Sequence, residues 1–160
     1  MIEGLQQKLN DVLNISDAST AKAKQTEQLL KQCEQAAKTI AANRTKAIKP
    51  FTEKVNILLK QVGMPNAQIK VELATVALNQ YGSDAIAFLF DANKSNRFEP
   101  LHKVASGGEL SRLMLCIKSL VAQKLQLPTL IFDEIDTGIS GEAAKQVGNI
   151  MKELSANHQL

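Results

Sequence analysis

The sequence predicts an α/β fold carried on a long N-terminal helical arm. Three observations lead there. The first sixty residues are rich in Lys, Gln, Glu and Ala, with Leu29, Cys33, Ala36, Ala37 and Ile40 recurring at helical spacing as a thin apolar stripe. Such a stripe on a long polar helix suits a coiled-coil arm better than a core helix. From Ile69 the period changes to two, Ile69, Val71 and Leu73 alternating with Lys70, Glu72 and Ala74, as in a strand with one wet face. Finally, Thr129-Leu130-Ile131-Phe132 is a continuous apolar run of the kind found in parallel strands buried on both faces. Residues 1–62 are therefore predicted as the arm and its root, and residues 63–160 as the α/β body.

Along the chain, Asn14-Ile15-Ser16-Asp17 is polar enough to interrupt or cap a helix. Pro50 suits the start of a new helix rather than the interior of an old one. After it Phe51, Val55, Leu58, Leu59 and Val62 form a stronger stripe, which Gly63 and Pro65 end. Asn79 to Asp84 reads as a turn leading into a second, more buried strand from Ala85 to Phe90, and Asn93 to Pro100 reads as a loop. An amphipathic helix follows, with Leu110, Leu113, Met114, Ile117, Leu120 and Val121 on one side. After Asp133-Glu134 a loop to Gly141 precedes a last helix over Glu142–Ala156, and Gln159-Leu160 begins a further strand. Strands alternating with helices define the α/β class.

Composition narrows the function classes. The apolar share of 44% suffices for a core, and the net charge of +3 permits a nucleic-acid partner without indicating one. Cys33 and Cys116 lie far apart without metal-ligand spacing and read as reduced packing residues. No run of about 18 apolar residues occurs, and Met1-Ile2-Glu3-Gly4 does not open a signal peptide. A soluble cytoplasmic protein with no membrane partner is expected. His102 and His158 fall in polar surroundings and read as surface residues.

Two constellations carry chemistry. Asp133-Glu134 ends the apolar run, where open α/β sheets place ligands. One carboxylate there can hold the water shell of Mg²⁺, and a second can orient and deprotonate an attacking water. Ser106-Gly107-Gly108-Glu109 opens the amphipathic helix. Its glycines let backbone N–H groups approach an anion, the helix N-terminus adds partial positive charge, and Ser106 supplies a hydroxyl. Each also has a plain structural reading, as a solvated strand end and a helix-entry turn. Their order and spacing make the combination more specific than either part.

The string Ala105-Ser106-Gly107-Gly108-Glu109-Leu110-Ser111-Arg112 resembles the signature motif of ABC-class ATPases, and Leu130-Ile131-Phe132-Asp133-Glu134-Ile135-Asp136 resembles their Walker B motif. The continuation Thr137-Gly138-Ile139-Ser140-Gly141, with Lys103-Val104 and Val62-Gly63-Met64-Pro65, is similar to the RecN family of SMC-like bacterial DNA repair ATPases. The resemblance implies a P-loop-type head, of which residues 63–160 would be the C-terminal part up to a switch histidine. It implies Mg²⁺ held through water by Asp133, Glu134 as general base for ATP hydrolysis, and Ser106, Gly107, Gly108 and Glu109 touching ATP bound to a partner head. Asp136, Thr137, Gly138 and Ser140 would form a loop crossing the dimer interface. Ser140 departs from the pattern, since many ABC proteins have Asp there.

The implied partners are DNA, the N-terminal half of the same head, and a second copy joined through sandwiched ATP. None of the eight glycines fits G-x-x-x-x-G-K-[ST], so the 160 residues alone are expected to be inactive. Two other readings stay open. One is the head of another SMC-like chromosome or repair ATPase. The other is a non-enzymatic helical adaptor in which Arg44, Lys46, Lys49 and Lys54 touch a phosphate backbone.

Overall fold

A computed structural model describes residues 2–104, 106–125, 127–139 and 141–160, with the backbone alone for 2–17 and 123. The elements run α1 (Ile2–Gln61), β1 (Gln68–Asn79), β2 (Gly82–Asp91), β3 (Glu99–Pro100), α2 (Gly107–Leu125) and α3 (Gly141–Ser155), with a short 3₁₀ turn at Leu101–Lys103. Two compact units are present. One comprises residues 1–43 with 75–84, and the other 44–74 with 85–160. No helix of the described residues is long and apolar enough to cross a membrane.

Within the first unit, α1 passes through Asn14–Asp17 without the break expected there. Leu29, Leu30 and Ile40 stay exposed and Ala37 is buried. Cys33 is exposed, contrary to its reading as a packing residue. The chain supplies one helix here, so the stripe has no helical neighbour of its own to pack against. Local bonds stabilise the polar surface instead, such as the Lys31–Glu27 pair at 2.7 Å one turn apart.

The second unit holds the core. Val55, Leu59, Val62, Met64, Ile69, Phe90, Leu113, Leu115, Cys116, Leu130, Val147, Ile150 and Leu154 form one buried cluster. Helix α1 continues through Pro50, where a new start was expected. A mid-helix proline costs about 3 kcal/mol, but burying each of Val55, Leu59 and Val62 returns about 1.5–3 kcal/mol. The packing of the last turns therefore outweighs the local preference. Thr52 Oγ donates to the carbonyls of Ile48 and Lys49 at 3.0 Å, using acceptors beside the proline.

Gly63 ends α1 as expected. The Met64 N–H donates to the Leu59 carbonyl at 2.9 Å, and Gly63 takes a φ of +83°. A Cβ there would lie 2.9 Å from Ala143 Cβ, so the turn also seats the start of α3. Gly63→Ala is expected to destabilise the fold by roughly 1–3 kcal/mol, from the left-handed backbone together with the contact. Denaturant midpoints at unchanged m-value would measure it.

The sheet order is β1-β2-β3, with β3 antiparallel to β2 through Leu89↔Pro100 and Phe90↔Glu99. Near Ile69 the predicted alternation holds. Asn56 Oδ1 accepts the Ile69 N–H at 2.9 Å and fixes the strand's entry beside α1. Strand β2 is less buried than expected. Ala85 to Phe88 are exposed, and burial begins at Phe90 and Asp91. Phe88 on this strand makes an edge-to-face pair with Phe51, with centroids 6.2 Å apart.

Helices α2 and α3 pack on each other. Leu113 of the expected face is buried, and so are Leu115, Cys116 and Ala122 outside it, so α2 is covered on more than one side. Burial pushes the Cys116 thiol up to about 12. The Thr129–Phe132 run makes a single parallel bridge, Thr129 to Gln159, and Gln159 lies where the further strand was expected. Its burial on both faces is not observed. Leu130 is buried while Ile131 is 80% exposed, because only one neighbouring segment lies beside it. His158 also departs from expectation. The return of the chain after α3 buries it, and its Nδ1–H donates to the Leu127 carbonyl. His102 is exposed as predicted.

Candidate functional site

The two motif segments meet in the second unit. Ser106 caps α2, its Oγ accepting the Glu109 N–H at 3.3 Å and its carbonyl accepting the Leu110 N–H at 3.1 Å. The remaining N–H groups of the first turn stay directed out of the helix end, with Gly107 exposed and Gly108 buried. Glu109 sits in this turn, half-buried, where a carboxylate complements the helix dipole.

Asp133 and Glu134 are both exposed. Glu134 holds a φ of +56°, a left-handed conformation rare outside glycine, which turns the chain sharply after Asp133. That turn carries its carboxylate onto the signature turn. A Cβ on Gly107 would lie 2.5 Å from Glu134 Oε2, so the absence of a side chain at 107 is what admits the carboxylate. No spacing rule predicts this contact.

The loop after Glu134 folds as two turns, with the Thr137 N–H donating to the Glu134 carbonyl at 3.3 Å and the Ile139 N–H to the Asp136 carbonyl at 3.4 Å. Asp136, Thr137 and Gly138 are exposed, and Gly138 has a φ of +71°. Ser140 lies outside the described residues, as does Ala105. Arg112, to which the sequence reading gave no role, joins the two segments. It is 6% exposed, and its Nη1 donates to the Thr137 carbonyl at 2.6 Å while lying beside the space over Gly108. Its Nε is buried without a protein partner. The available signal was a cation one turn after Gly108 on an amphipathic helix. Its partner lies 25 residues away and is not readable from local pattern.

One short turn, one strand end and one loop thus bring together a helix N-terminus that can meet an anion and two carboxylates that can meet a cation or a water. Among the described residues no three acids, histidines or cysteines group closely enough to hold a metal alone.

No family model matches the chain. It is 36% identical over 160 residues to DNA repair protein RecN of Haemophilus influenzae, an alignment covering 98% of this chain and 28% of that protein. The RecN of Rickettsia typhi is 42% identical over 125 residues, 78% of this chain and 23% of that protein. The RecN of Treponema pallidum is 33% identical over 162 residues, 97% of this chain and 28% of that protein. Among solved structures, the chain resembles the Smc head domain with an extended coiled coil from Pyrococcus furiosus, crystallised with the C-terminal domain of ScpA. The TM-score is 0.54 at 16% identity, over 82% of this chain and 31% of that one. The fold is that of part of an SMC-type head with its helical arm. By sequence the chain belongs to the RecN family, spanning 28% of the length of its Haemophilus influenzae relative.

Proposed function

We propose that the complete protein is an ATP-hydrolysing DNA repair enzyme, to which this chain contributes the signature turn, the Walker B carboxylates and part of the arm. The observation that carries the reading is that one chain presents both motifs, Ser106–Glu109 at the N-terminus of α2 and the exposed Asp133-Glu134 pair after the apolar run. Each is available to a different nucleotide when two heads face one another.

The division of labour is the one that the resemblance of these motifs to ABC-class ATPases implies. Asp133 receives the water shell of Mg²⁺. A lone hard oxygen donor fits an ion that keeps most of its waters and takes its remaining ligands from phosphates. Bound there, the ion would neutralise charge developing on the transferred phosphoryl group. Glu134 accepts the proton of the attacking water. Ser106, Gly107, Gly108 and Glu109 face the γ-phosphate of ATP held by a second head, the N–H groups of the turn acting as donors. Asp136, Thr137, Gly138 and Ser140 run along the contact between heads. Arg112 is a positioning residue, holding that loop to the signature helix through the Thr137 carbonyl. DNA, the remainder of the head and a second copy of the protein complete the set of partners, in the bacterial cytoplasm.

ATP turnover with and without DNA tests the reading. The complete protein is expected to hydrolyse ATP, faster with DNA present. The 160 residues alone are expected to show no turnover above buffer, since they lack a phosphate-cradling P-loop. A complete protein without ATPase activity would refute the enzyme reading.

A further inference from the structure

Strand β2 ends at Asp91, and the chain leaves it as Asp91-Ala92-Asn93-Lys94-Ser95-Asn96-Arg97 before β3. Asp91 is 3% exposed. Its Oδ1 accepts the Asn93 N–H at 3.0 Å and the Ser95 hydroxyl at 3.1 Å. Its Oδ2 is buried and has no protein partner. A buried carboxylate oxygen left unpaired is unfavourable, and each such group in a native fold calls for a cause. Burial acts to raise the Asp91 pKa, but bonds from Asn93, Ser95 and Asn96 outweigh it and hold the carboxyl below its usual range.

Asp91 lines a cavity of about 270 Å³ together with Asn93, Ser95, Arg97, Glu99 and Glu109. Three carboxylates against one guanidinium leave this space acidic. Oxygen-bearing side chains fall at alternate positions, Asp91, Asn93 and Ser95. Asn96, sixth in the loop, has the positive φ of 60° that loops wrapping a hard cation require at that place. The twelfth position, where a bidentate glutamate closes such loops, is His102. Glu99 and Glu109, main-chain carbonyls and water are left to complete a shell. Because no three acids converge among the described residues, that shell is open rather than caged.

We propose that the Asp91 loop binds a hard divalent cation of the calcium type, with Asp91 Oδ2 as its anchoring ligand and a largely hydrated shell. Asp133 does not line this cavity, whereas Glu109 does, so the site joins the β2–β3 loop to the first turn of α2.

The test is calorimetric titration of the complete protein with CaCl₂ in the absence of nucleotide. One ion per chain is expected, with a Kd on the order of 0.1–1 mM. Asp91→Asn is expected to weaken it at least tenfold, and Asp133→Asn to leave it unchanged. No saturable calcium binding, or equal binding by Asp91→Asn, overturns the proposal. Loss of the ion in Asp133→Asn does the same, by placing it at the proposed nucleotide site. If Asp91→Asn fails to fold, the calcium-dependent rise in melting temperature decides. The rise is expected to vanish in the double variant Asn93→Ala with Glu99→Gln, and its persistence there overturns the proposal.

Discussion

Replacing Glu134 by Gln in the complete protein is expected to lower ATP turnover by about 10²–10⁴-fold, the usual contribution of a positioned general base. Nucleotide binding is expected to survive. The substitution isolates the charge. Glutamine matches the shape of glutamate, so it meets the same left-handed backbone at position 134 and the same close approach to Gly107. Neither the turn nor the packing changes, while the ability to take a proton from water is lost. Steady-state hydrolysis paired with equilibrium ATP binding makes the comparison. Equal loss of both would assign Glu134 to binding rather than to the chemical step.

Ser106→Arg is expected to abolish turnover by a different route. Its Oγ caps α2, and removing such a cap costs about 0.5–2 kcal/mol. For a domain of this size each kcal/mol lowers the melting temperature by roughly 2–4 °C. The larger effect is steric, because a long side chain at the head of the turn stands where phosphate oxygens must meet the N–H groups of Gly107 and Gly108. Ser106→Ala removes the same cap without the bulk. It is therefore expected to share the loss of stability and to keep much of the turnover. Melting curves and hydrolysis on both variants separate capping from obstruction.

The parts of the fold set by local chemistry were legible in the sequence. The end of α1 at Gly63 follows from a residue that alone accepts the left-handed conformation, and the alternation around Ile69 follows from a sheet covered on one face. The return of the chain toward a further strand at Gln159 was also expected, and the structure adds its bridge to Thr129. Misreadings arose where distant packing overrode local preference. Pro50 stays inside α1 because the turns after it are buried. His158 has polar neighbours in sequence yet is buried against the Leu127 carbonyl. Ile131 belongs to a run that looks wholly buried, but it has a neighbouring segment on one side only.

The same distinction applies at the site. The capped helix entry at Ser106–Glu109 and the exposed acids after the apolar run were readable because both follow short-range patterns. The hold of Arg112 on Thr137, and the space that Gly107 leaves for Glu134, join segments some 25 residues apart. The unpaired Oδ2 of Asp91 is likewise a property of the folded chain, since an isolated Asp-Ala-Asn-Lys-Ser string is an ordinary turn.

The most direct measurement is turnover by an equimolar mixture of the complete Glu134→Gln and Ser106→Arg proteins, assembled together before ATP is added. If one head supplies Glu134 and its partner supplies Ser106, each mixed dimer retains one intact site, and roughly a quarter of the native rate is expected for random pairing. Turnover that stays at the level of the two inactive variants would show that both residues serve the same head, and the shared-site mechanism would be wrong.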